Sequence, residues 1–369
     1  MSQAQEADKQ NETVKIGVFQ PLSGEYKEYG ELEKRGIELA HKLYPEVLGK
    51  KVELVYGDNK SDDDVAATVA QQLVNKKVSV VLGSYGSHLS LVGGDYFDEA
   101  KIPAIAISSR NPLVTKGNEY YFRVSYLESF QGIALAKYAF EGLEASKVAI
   151  LQDIDDDHMA PVVEAFSEKF ALLTEDEEAI LKTEQYKSGQ TDFKRHLSSI
   201  KNTNAEVVLL ACCNATDAAT IIKQAKELEM DATFLGVHEW EVPEFIQEGG
   251  KAVEDVKFTT LFDPEAEPTE MRQRFLSEYK KEYGQDAVPD SSVALGFDAY
   301  LVAIDSIKRA GTSINTTAIK EEMAKIRDFA GASGNISFDL NGDPVKSVII
   351  KTITNGEFVY TYTVEPVWE

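Results

Sequence analysis

The chain has 369 residues, more than the size at which one hydrophobic core keeps growing, so two domains are expected. Its composition, 43% hydrophobic and 27% charged, is typical of a folded globular protein. The formal net charge of −24 excludes a nucleic-acid partner, because binding to a polyanion needs a basic surface.

The N-terminal residues and the cysteines say little about location. Residues 1–13 are polar and lack the apolar core of a signal peptide, so we expect a disordered tether there. A tether suits either a cytoplasmic protein or the mature form of an exported one, and we favour an exported protein that is lipid-anchored through a removed N-terminal segment. No apolar run approaches the roughly 18 to 20 residues that span a bilayer. The adjacent Cys212 and Cys213 do not complete a zinc site and are expected to be small buried residues, with ligand contact as the alternative for one of them.

The first part of the chain alternates apolar strands with amphipathic helices. The expected strands are VKIGVFQP, KKVELVYGD, VSVVLG and IPAIAIS. The helices between them include GELEKRGIELAHKLY, DDDVAATVAQQLVNKK and a segment through Tyr96 to Ala100. This alternation predicts a parallel sheet with helices on both faces.

The pattern restarts after FRVSYLESFQG and predicts a second unit of the same design. Its strands are KVAILQD, EVVLLACC and TFLGV, and its helices are IALAKYAFEGL, VVEAFSEKFALL, FKRHLSSIKN and DAATIIKQAKEL. Further helices follow, and the chain ends in a hairpin around Asn355-Gly356. The later helices pack best by returning to the first unit, so we expect two doubly wound lobes joined by a three-strand hinge around a cleft.

Two strands of the first unit end in turns rich in small polar residues. VSVVLG leads into SYGSHLS, and IPAIAI leads into SSRNP. In an open α/β sheet, small ligands bind in the crevice at the carboxyl ends of the strands. Hydroxyls such as Ser87, Ser108 and Ser109, with backbone N–H groups at the start of a helix, favour a carboxylate there. Arg110 adds a planar set of donors that suits an anion.

These features resemble the periplasmic-type solute-binding proteins of ABC transporters for branched-chain and related amino acids, which have the type I fold. The resemblance covers Val14 to Tyr360. The segments on which the resemblance is based are IGVFQPLSGEYKEYGELEKRGIELA, the pair LGSYGS and IPAIAISSRNP, YKSGQTDFKRHLSSIKNTNAEVVLLA, GFDAYLVAIDSI, and GNISFDLNGDPVKSVIIKTITNGEF. It implies a protein that binds a small solute between two lobes, closes, and delivers the solute to a membrane permease. The lobe boundaries that we predict are 14–125 plus 261–335 for the N-terminal lobe and 126–260 plus 336–369 for the C-terminal lobe.

The resemblance also implies a set of ligand-binding residues. In the first lobe, the turn with Tyr85, Gly86 and Ser87 would hold the α-carboxylate of an amino acid. The turn of the next strand would contribute a carbonyl and further donors at Ser108, Ser109 and Arg110, and the ring of Tyr29 would pack on the ligand. In the second lobe the matching positions are Asp157, Cys213, Asn214, His238 and Glu239. Members that bind aliphatic amino acids tend to have two tyrosines and an acid where this chain has Asp157, Cys213 and His238. A more polar or additionally anionic ligand is therefore the alternative.

Some of these residues have structural alternatives. Arg110 suits a salt bridge with one of the chain's many acids as well as it suits a ligand carboxylate. Tyr29 either faces the ligand or packs on its own loop. The segment HEW at 238–240 forms either a polar and aromatic wall of the site or a surface loop whose tryptophan covers the next helix.

The sequence lacks the motifs of an enzyme or a metal site. The acidic run IDDDHMA has neither the glycine turn nor the distant bidentate acid of a calcium loop, and it reads as a helix-capping turn. No G-x-S-x-G elbow, phosphate-binding loop or H-E-x-x-H motif is present. We therefore predict no cofactor, and an extracytoplasmic, monomeric receptor that binds an amino acid for an ABC importer, with the permease transmembrane subunits as its partner. The alternatives are a ligand sensor of the same fold and a receptor for another small carboxylate or amide.

Overall fold

The computed structural model describes residues 12–267 and 269–366. By its internal contacts the chain divides into two units. The first unit contains the chain up to Leu127 and a later segment that ends at Lys346, and the second contains Glu128–Glu267 and the segment that begins at Ser347. The chain thus passes between the units after Leu127, after Glu267 and after Lys346, which is the connectivity expected of a three-strand hinge.

The first unit begins with a regular alternation of strands and helices. Its elements up to Leu127 are β1 (Thr13–Gln20), α1 (Lys27–Leu43), β2 (Glu46–Val47), β3 (Lys50–Asp58), α2 (Asp63–Asn75), β4 (Val80–Leu82), α3 (Ser87–Glu99), β5 (Ala104–Ala106) and β6 (Tyr121–Arg123). The strand order is β2-β3-β1-β4-β5-β6, and all neighbours are parallel except the short edge strand β2. The predicted parallel sheet is confirmed.

The second unit repeats this design. Its elements up to Glu267 are α4 (Glu128–Lys137), β7 (Val148–Asp153), α5 (Met159–Thr174), β8 (Ile180–Tyr186), α6 (Lys194–Lys201), β9 (Val207–Ala211), α7 (Ala215–Glu227), β10 (Thr233–Gly236), α8 (Pro243–Gly249) and β11 (Lys257–Thr260). Strands β8, β7, β9, β10 and β11 lie side by side in that order and are parallel.

The remaining chain completes both units. The returning segment adds α9 (Glu270–Tyr283), α10 (Ser291–Ala310), α11 (Thr316–Ala324), β12 (Phe329–Gly331), β13 (Gly334–Phe338) and β14 (Pro344–Val345) to the first unit. The hairpin of β15 (Val348–Thr354) and β16 (Glu357–Val364) then joins the second sheet, where β15 pairs antiparallel with β11. The predicted turn is confirmed: Asn355 and Gly356 have φ of 55° and 74°, as a two-residue hairpin turn with two positive φ angles requires.

The six-stranded sheet of the first unit is buried because helices cover it on both faces. On one face, Val69 and Leu73 of α2 and Phe97 of α3 pack with Phe19 and Val81 of the sheet. Helices α1 and α10 pack against each other and contact strands of the same sheet. Because helices cover the faces of the sheet, the turns that lead from each strand into the next helix lie at the carboxyl ends of the strands.

The predicted lobe boundaries differ from the division by contacts at three places. Residues 126 and 127, which were predicted for the C-terminal lobe, belong to the first unit. Residues 261–267 belong to the second unit, where Asp263 forms an ion pair of 2.7 Å with Lys351 of β15. Residues 336–346 belong to the first unit, because β13 pairs with β12 and β14 and the Arg123 N–H donates to Gly342 O at 3.0 Å. Of the predicted tether, residues 1–11 lie outside the described residues, and Thr13 is already part of β1.

Candidate ligand-binding site

The strand order of the first unit places a candidate ligand-binding edge between β1 and β4. Strand β1 lies between β3 and β4, so the connections that leave β1 and β4 run to opposite sides of the sheet. A crevice forms at the carboxyl ends of two strands whose connections diverge in this way. Gln20 ends β1, and the turn of residues 83–87 follows β4.

The turn after β4 is held by hydrogen bonds with α3, with the turn after β5 and with β6. The Ser84 N–H donates to Ser90 Oγ at 3.1 Å, and Ser84 O accepts from Ser90 Oγ at 3.0 Å and from Ser109 Oγ at 2.8 Å. The Tyr121 hydroxyl donates to Gly83 O at 2.6 Å. These bonds hold the backbone of the turn in one conformation, so its remaining N–H groups have fixed directions.

Glu33, which sequence reasoning missed, joins three strand ends. Gln20 Nε2 at the end of β1 donates to Glu33 Oε2 at 2.6 Å, and the Ser108 hydroxyl after β5 donates to Glu33 Oε1. The other end of the Gln20 amide accepts the Tyr85 N–H at 3.0 Å. Through Gln20, the buried carboxyl group thus positions the turn after β4 as well.

Burial controls the charge of this group. Glu33 has no exposed surface, and desolvation raises its pKa to about 8, although hydrogen bonds from Ser108 and Gln20 act in the opposite direction. Burial therefore favours the protonated form of this carboxyl group, and the donors on both of its oxygens favour the ionised form. The sequence does contain a signal for this residue: Glu33 lies on the buried stripe of α1, in helical register with Gly30 and Ile37.

Two predicted aromatic residues lie together beside the turn after β4. The ring of Tyr29 stacks on that of Tyr85, with centroids 4.5 Å apart and planes 3° from parallel. Tyr29 is 47% exposed, so one side of the stacked pair is open to solvent. Burial raises the pKa of Tyr85, and the positive charge of Arg110 lowers it, which shows that Arg110 acts on the same pair.

The predicted hydroxyl residues hold the first-unit turns together. Ser87 is the first residue of α3, after Gly86, and its Oγ accepts the Asn111 N–H at 3.2 Å. Ser109 is buried, and its hydroxyl donates to Ser84 O. Because the first N–H groups of a helix have no acceptor within that helix, the start of α3 still presents donors for an anion.

A buried arginine that was not predicted supports the turn after β5. Arg123 donates to Ser109 O, Asn111 O and Thr115 Oγ1, each at 2.9 Å. Its Nε lies 2.6 Å from Asp343 Oδ1. Because a charge on a fully buried side chain needs this set of partners, the turn that carries Ser108 to Arg110 is rigidly held.

The second unit has its own ligand-binding edge, between β7 and β9. Strand β7 lies between β8 and β9, so the connections leaving β7 and β9 diverge. After β9, Asn214 caps α7 by accepting the Asp217 N–H at 2.9 Å, and Cys213 before it is half-buried. The adjacent Cys212 is buried, and burial raises its pKa to about 12, so its thiol remains protonated.

The predicted His238 contacts Gln131 of α4 and the predicted Glu239. His238 Nδ1 is 2.7 Å from Gln131 Oε1 and 3.1 Å from Glu239 Oε2. Glu128, also on α4 and buried, lies 3.4 Å from His158 Nδ1 after β7. This edge of the second unit therefore also carries the polar side chains of Glu128 and Gln131, which were not predicted from the sequence.

Asp157 and Trp240, two other residues considered for the second-unit site, differ in burial. The side chain of Asp157 is exposed on the turn before α5. Trp240 is fully buried and donates from Nε1 to Cys212 O at 2.7 Å, so it belongs to the core of the unit and not to a surface loop. No group of three or more potential metal ligands occurs within residues 12–267 and 269–366.

The sequence matches the family model for periplasmic binding proteins over residues 13–356. It is 26% identical over 337 residues to Leu/Ile/Val-binding protein homolog 2 of Brucella abortus, a match that covers 90% of this chain and 87% of that protein. It is 25% identical over 339 residues to the leucine-, isoleucine-, valine-, threonine- and alanine-binding protein of Pseudomonas aeruginosa, again covering 90% and 87%.

Solved structures show the same similarity. A leucine-binding protein of Thermotoga maritima is 34% identical, with a TM-score of 0.75 over 96% of this chain and 99% of that one. A branched-chain amino acid transporter substrate-binding protein of Streptococcus pneumoniae, solved with isoleucine, is 29% identical, with a TM-score of 0.72 and the same coverage.

Two doubly wound units, connected three times and carrying polar turns at their strand ends, define a solute-binding receptor and not an enzyme. The chain belongs to the periplasmic binding protein family, and the predicted type I fold is confirmed. Membership of this family places the protein outside the cytoplasm. Across the described part of the chain, we find no helix with the length and apolar character needed to cross a membrane.

Proposed function

We propose that this protein is the solute-binding receptor of an ABC importer and that it binds an amino acid for delivery to the permease. The relatives named for leucine, isoleucine and valine support an amino acid as the ligand. The observation that carries the proposal is the pair of rigid turns after β4 and β5, joined by Ser84, Ser109 and Glu33 at the switch point of the sheet.

In this proposal the first unit binds the ligand's α-carboxylate. The N-terminus of α3 at Gly86 and Ser87 would supply N–H and hydroxyl donors, and Arg110 with the turn around Ser108 and Ser109 would supply a second set. The stacked rings of Tyr29 and Tyr85 would pack against the ligand.

The second unit would complete the site through Cys213, Asn214, His238 and Glu239, with Asp157 reaching the ligand from its exposed turn. The buried amide of Gln131 favours a polar group nearby, because its Nε2 has no hydrogen-bond partner among the described residues. A polar amino acid is therefore the second candidate ligand. We further propose that the receptor works as a monomer that is lipid-anchored at its N-terminus.

A thermal-shift panel of the twenty amino acids, with small carboxylates such as benzoate as a further group, tests the proposal. A ligand present at one hundred times its Kd stabilises the folded state by about 2.7 kcal/mol, which gives a clear rise in Tm. We expect such a rise with branched-chain or polar amino acids. If no amino acid changes the Tm, the proposed ligand class is wrong, and a response only to the other carboxylates identifies the alternative class.

Substitutions test the placement of the carboxylate. Ser87→Ala and Arg110→Ala should each weaken binding of the amino acid found in the panel by about tenfold or more, since hydrogen bonds to charged groups contribute about 1.5–3 kcal/mol. Titration calorimetry measures the affinity. Ser198→Ala and Arg195→Ala, which change exposed residues of α6, serve as matched controls. Unchanged affinity in both site variants would show that the ligand's carboxylate does not bind at Ser87 and Arg110.

A further inference from the structure

Asp58, the last residue of β3, binds the loop of residues 21–26 that follows β1. Its Oδ1 accepts the Leu22 N–H at 2.9 Å and the Ser23 N–H at 3.2 Å, and its Oδ2 accepts the Ser23 hydroxyl at 2.7 Å. The Lys60 N–H also donates to Oδ1, at 2.9 Å. One side chain therefore holds the start of the loop after β1 against the end of the neighbouring strand.

The rest of this loop is in close contact with the turn after β3. The Tyr26 N–H donates to Ser61 Oγ at 2.9 Å, and the Ser61 hydroxyl donates to Ser23 O at 3.3 Å. Gly24 has a φ of +86°, and a Cβ at this position would lie 2.2 Å from Lys60 O. The backbones of the loop and the turn therefore touch, and the loop is held at its start and at its end.

The same loop contacts the first turn of α1, which carries Tyr29. A Cβ on Gly30 would lie 2.2 Å from Pro21 O, so the helix backbone touches the loop there. The Gly30 N–H donates to Tyr26 O at 3.1 Å. Tyr29 lies between these contacts, and its ring stacks on that of Tyr85 with centroids 4.5 Å apart. The place of the Tyr29 ring therefore depends on the loop after β1.

The Asp58 carboxyl group is ionised at neutral pH. Burial raises its pKa, but the hydrogen bonds from the Ser23 hydroxyl and from the N–H groups of Lys60, Leu22 and Ser23 outweigh burial, and the pKa lies below its ordinary value. Hydrogen bonds to an ionised acceptor are shorter and stronger than those between neutral groups. Four such bonds on one carboxylate hold the loop firmly.

We propose that Asp58 is a positioning residue for ligand binding, which holds the loop after β1 so that the Tyr29 ring stays stacked on Tyr85. This inference rests on the proposed function, because there Tyr29 packs against the ligand. A ring that is already held in place loses less conformational entropy when a ligand packs against it. Release of the loop therefore weakens binding although Asp58 acts only through the Tyr29 ring.

A double-mutant cycle with L-leucine as the ligand tests this inference. In calorimetric titration, Asp58→Ala and Tyr29→Leu should each lower the affinity by about fivefold to tenfold, and the double variant should lose about as much as Tyr29→Leu alone, because Asp58 acts through that ring. Asp286→Ala, on an exposed loop of the first unit, is the matched control and should bind like the unaltered protein. Unchanged affinity in Asp58→Ala, or losses that multiply in the double variant, would overturn the inference.

A conservative variant separates positioning from a general loss of structure. Asp58→Asn keeps an oxygen that can accept the three N–H groups, so it should lose less affinity than Asp58→Ala. Thermal unfolding shows whether each variant is folded at the temperature of the titration. If Asp58→Ala is not folded there, Asp58→Asn takes its place in the cycle, and its loss of affinity should likewise disappear in the Tyr29→Leu background.

A measurement without ligand separates this inference from the proposed function. In proton NMR of tyrosine-labelled protein, the Tyr29 ring signals are those missing from Tyr29→Leu. Stacking on Tyr85 shifts these signals, and we expect Asp58→Ala, but not Asp286→Ala, to return them toward the values of an unstacked tyrosine. If leucine gives no heat, this result alone decides whether Asp58 positions the ring, and the failure of binding counts against leucine as the ligand. Unmoved Tyr29 signals in Asp58→Ala would overturn the inference even if leucine binds.

Discussion

At the scale of single residues, the turns at the ligand-binding edge depend on buried polar groups behind them. Arg123 is fully buried, and its guanidinium group binds two backbone carbonyls of the turn after β5 and the carboxylate of Asp343. Burial raises the pKa of Asp343, and the charge of Arg123 opposes that rise. The two residues are therefore one ionic unit, and neither is stable in its place without the other.

Replacing Arg123 by methionine tests this dependence. We expect Arg123→Met to lower the free energy of unfolding by about 3–5 kcal/mol, because a buried carboxylate loses its partner. Urea denaturation measures the change, and Arg195→Met, at an exposed position, is the control. Adding Asp343→Asn should restore part of the loss. If Arg123→Met is as stable as the control, the ionic unit does not support the turn.

The sequence revealed the exposed parts of the site better than their supports. Ser87 and Arg110 lie in the short polar turns that follow apolar runs, so the general rule for strand ends applies to them. Arg123 ends a short strand, and Glu33 lies within a helix, so each reads as an ordinary surface charge. Only its register with Gly30 and Ile37 marks Glu33 as buried.

At the scale of elements, two glycines permit the close packing of α1 on α10. A Cβ on Gly36 would overlap the Val293 carbonyl oxygen of α10, and a Cβ on Gly296 would overlap the Glu33 carbonyl oxygen of α1. The two helix backbones therefore touch at this crossing. Since Glu33 lies at the crossing, the packing of the two helices also determines where its carboxyl group lies.

An alanine at this crossing should separate the helices. We expect Gly36→Ala to reduce the free energy of unfolding by about 1–3 kcal/mol or more, although alanine favours a helix, because the added methyl group overlaps backbone atoms that cannot move independently. Thermal and urea unfolding measure the effect. Glu28→Ala, at an exposed position of α1, should change stability by less than about 0.5 kcal/mol. If Gly36→Ala has a higher free energy of unfolding than the unaltered protein, there is space for a methyl group between α1 and α10, and the expectation is wrong.

Elements with a continuous apolar pattern were predicted well, and edge elements were not. Strand β8 was missed because it lies at the edge of its sheet and only its last residue, Tyr186, is buried. The short strands β12 to β14 were missed for a related reason, since they form a small separate sheet with little periodic pattern. Pattern reasoning detects burial, and most residues of β8 are not buried.

At the scale of the whole molecule, each unit has its own buried ionic cluster near the third crossing of the chain. In the first unit, Lys346 donates to Ser333 Oγ at 2.6 Å, and Ser333 N–H donates to the buried Asp298 at 2.9 Å. In the second unit, Lys351 binds Asp263 at 2.7 Å and also Glu241. The two lysines are close in sequence but stabilise different units.

Hydrogen exchange of two lysine variants tests whether the units are independent. Lys351→Met should weaken the protection of β10, β11 and β15, because the buried Asp263 and the half-buried Glu241 lose their cation, and leave β1, β4 and β5 unchanged. Lys346→Met should show the reverse pattern. Mass spectrometry of exchanged peptides resolves the two sheets. Equal loss of protection in both units from either variant would contradict separate cores.

The sequence by itself determined the two-unit α/β plan, the positions of the polar turns and the family, because these depend on local hydrophobic periodicity and on short segments that are contiguous in the chain. Only the tertiary structure decided that Glu33 and Arg123 lie behind those turns, that Gln131 accompanies His238, and that residues 336–346 remain in the first unit. The physical reason is that burial and hydrogen-bond partners far apart in the chain set the charge and position of a polar group, and sequence spacing does not contain that information.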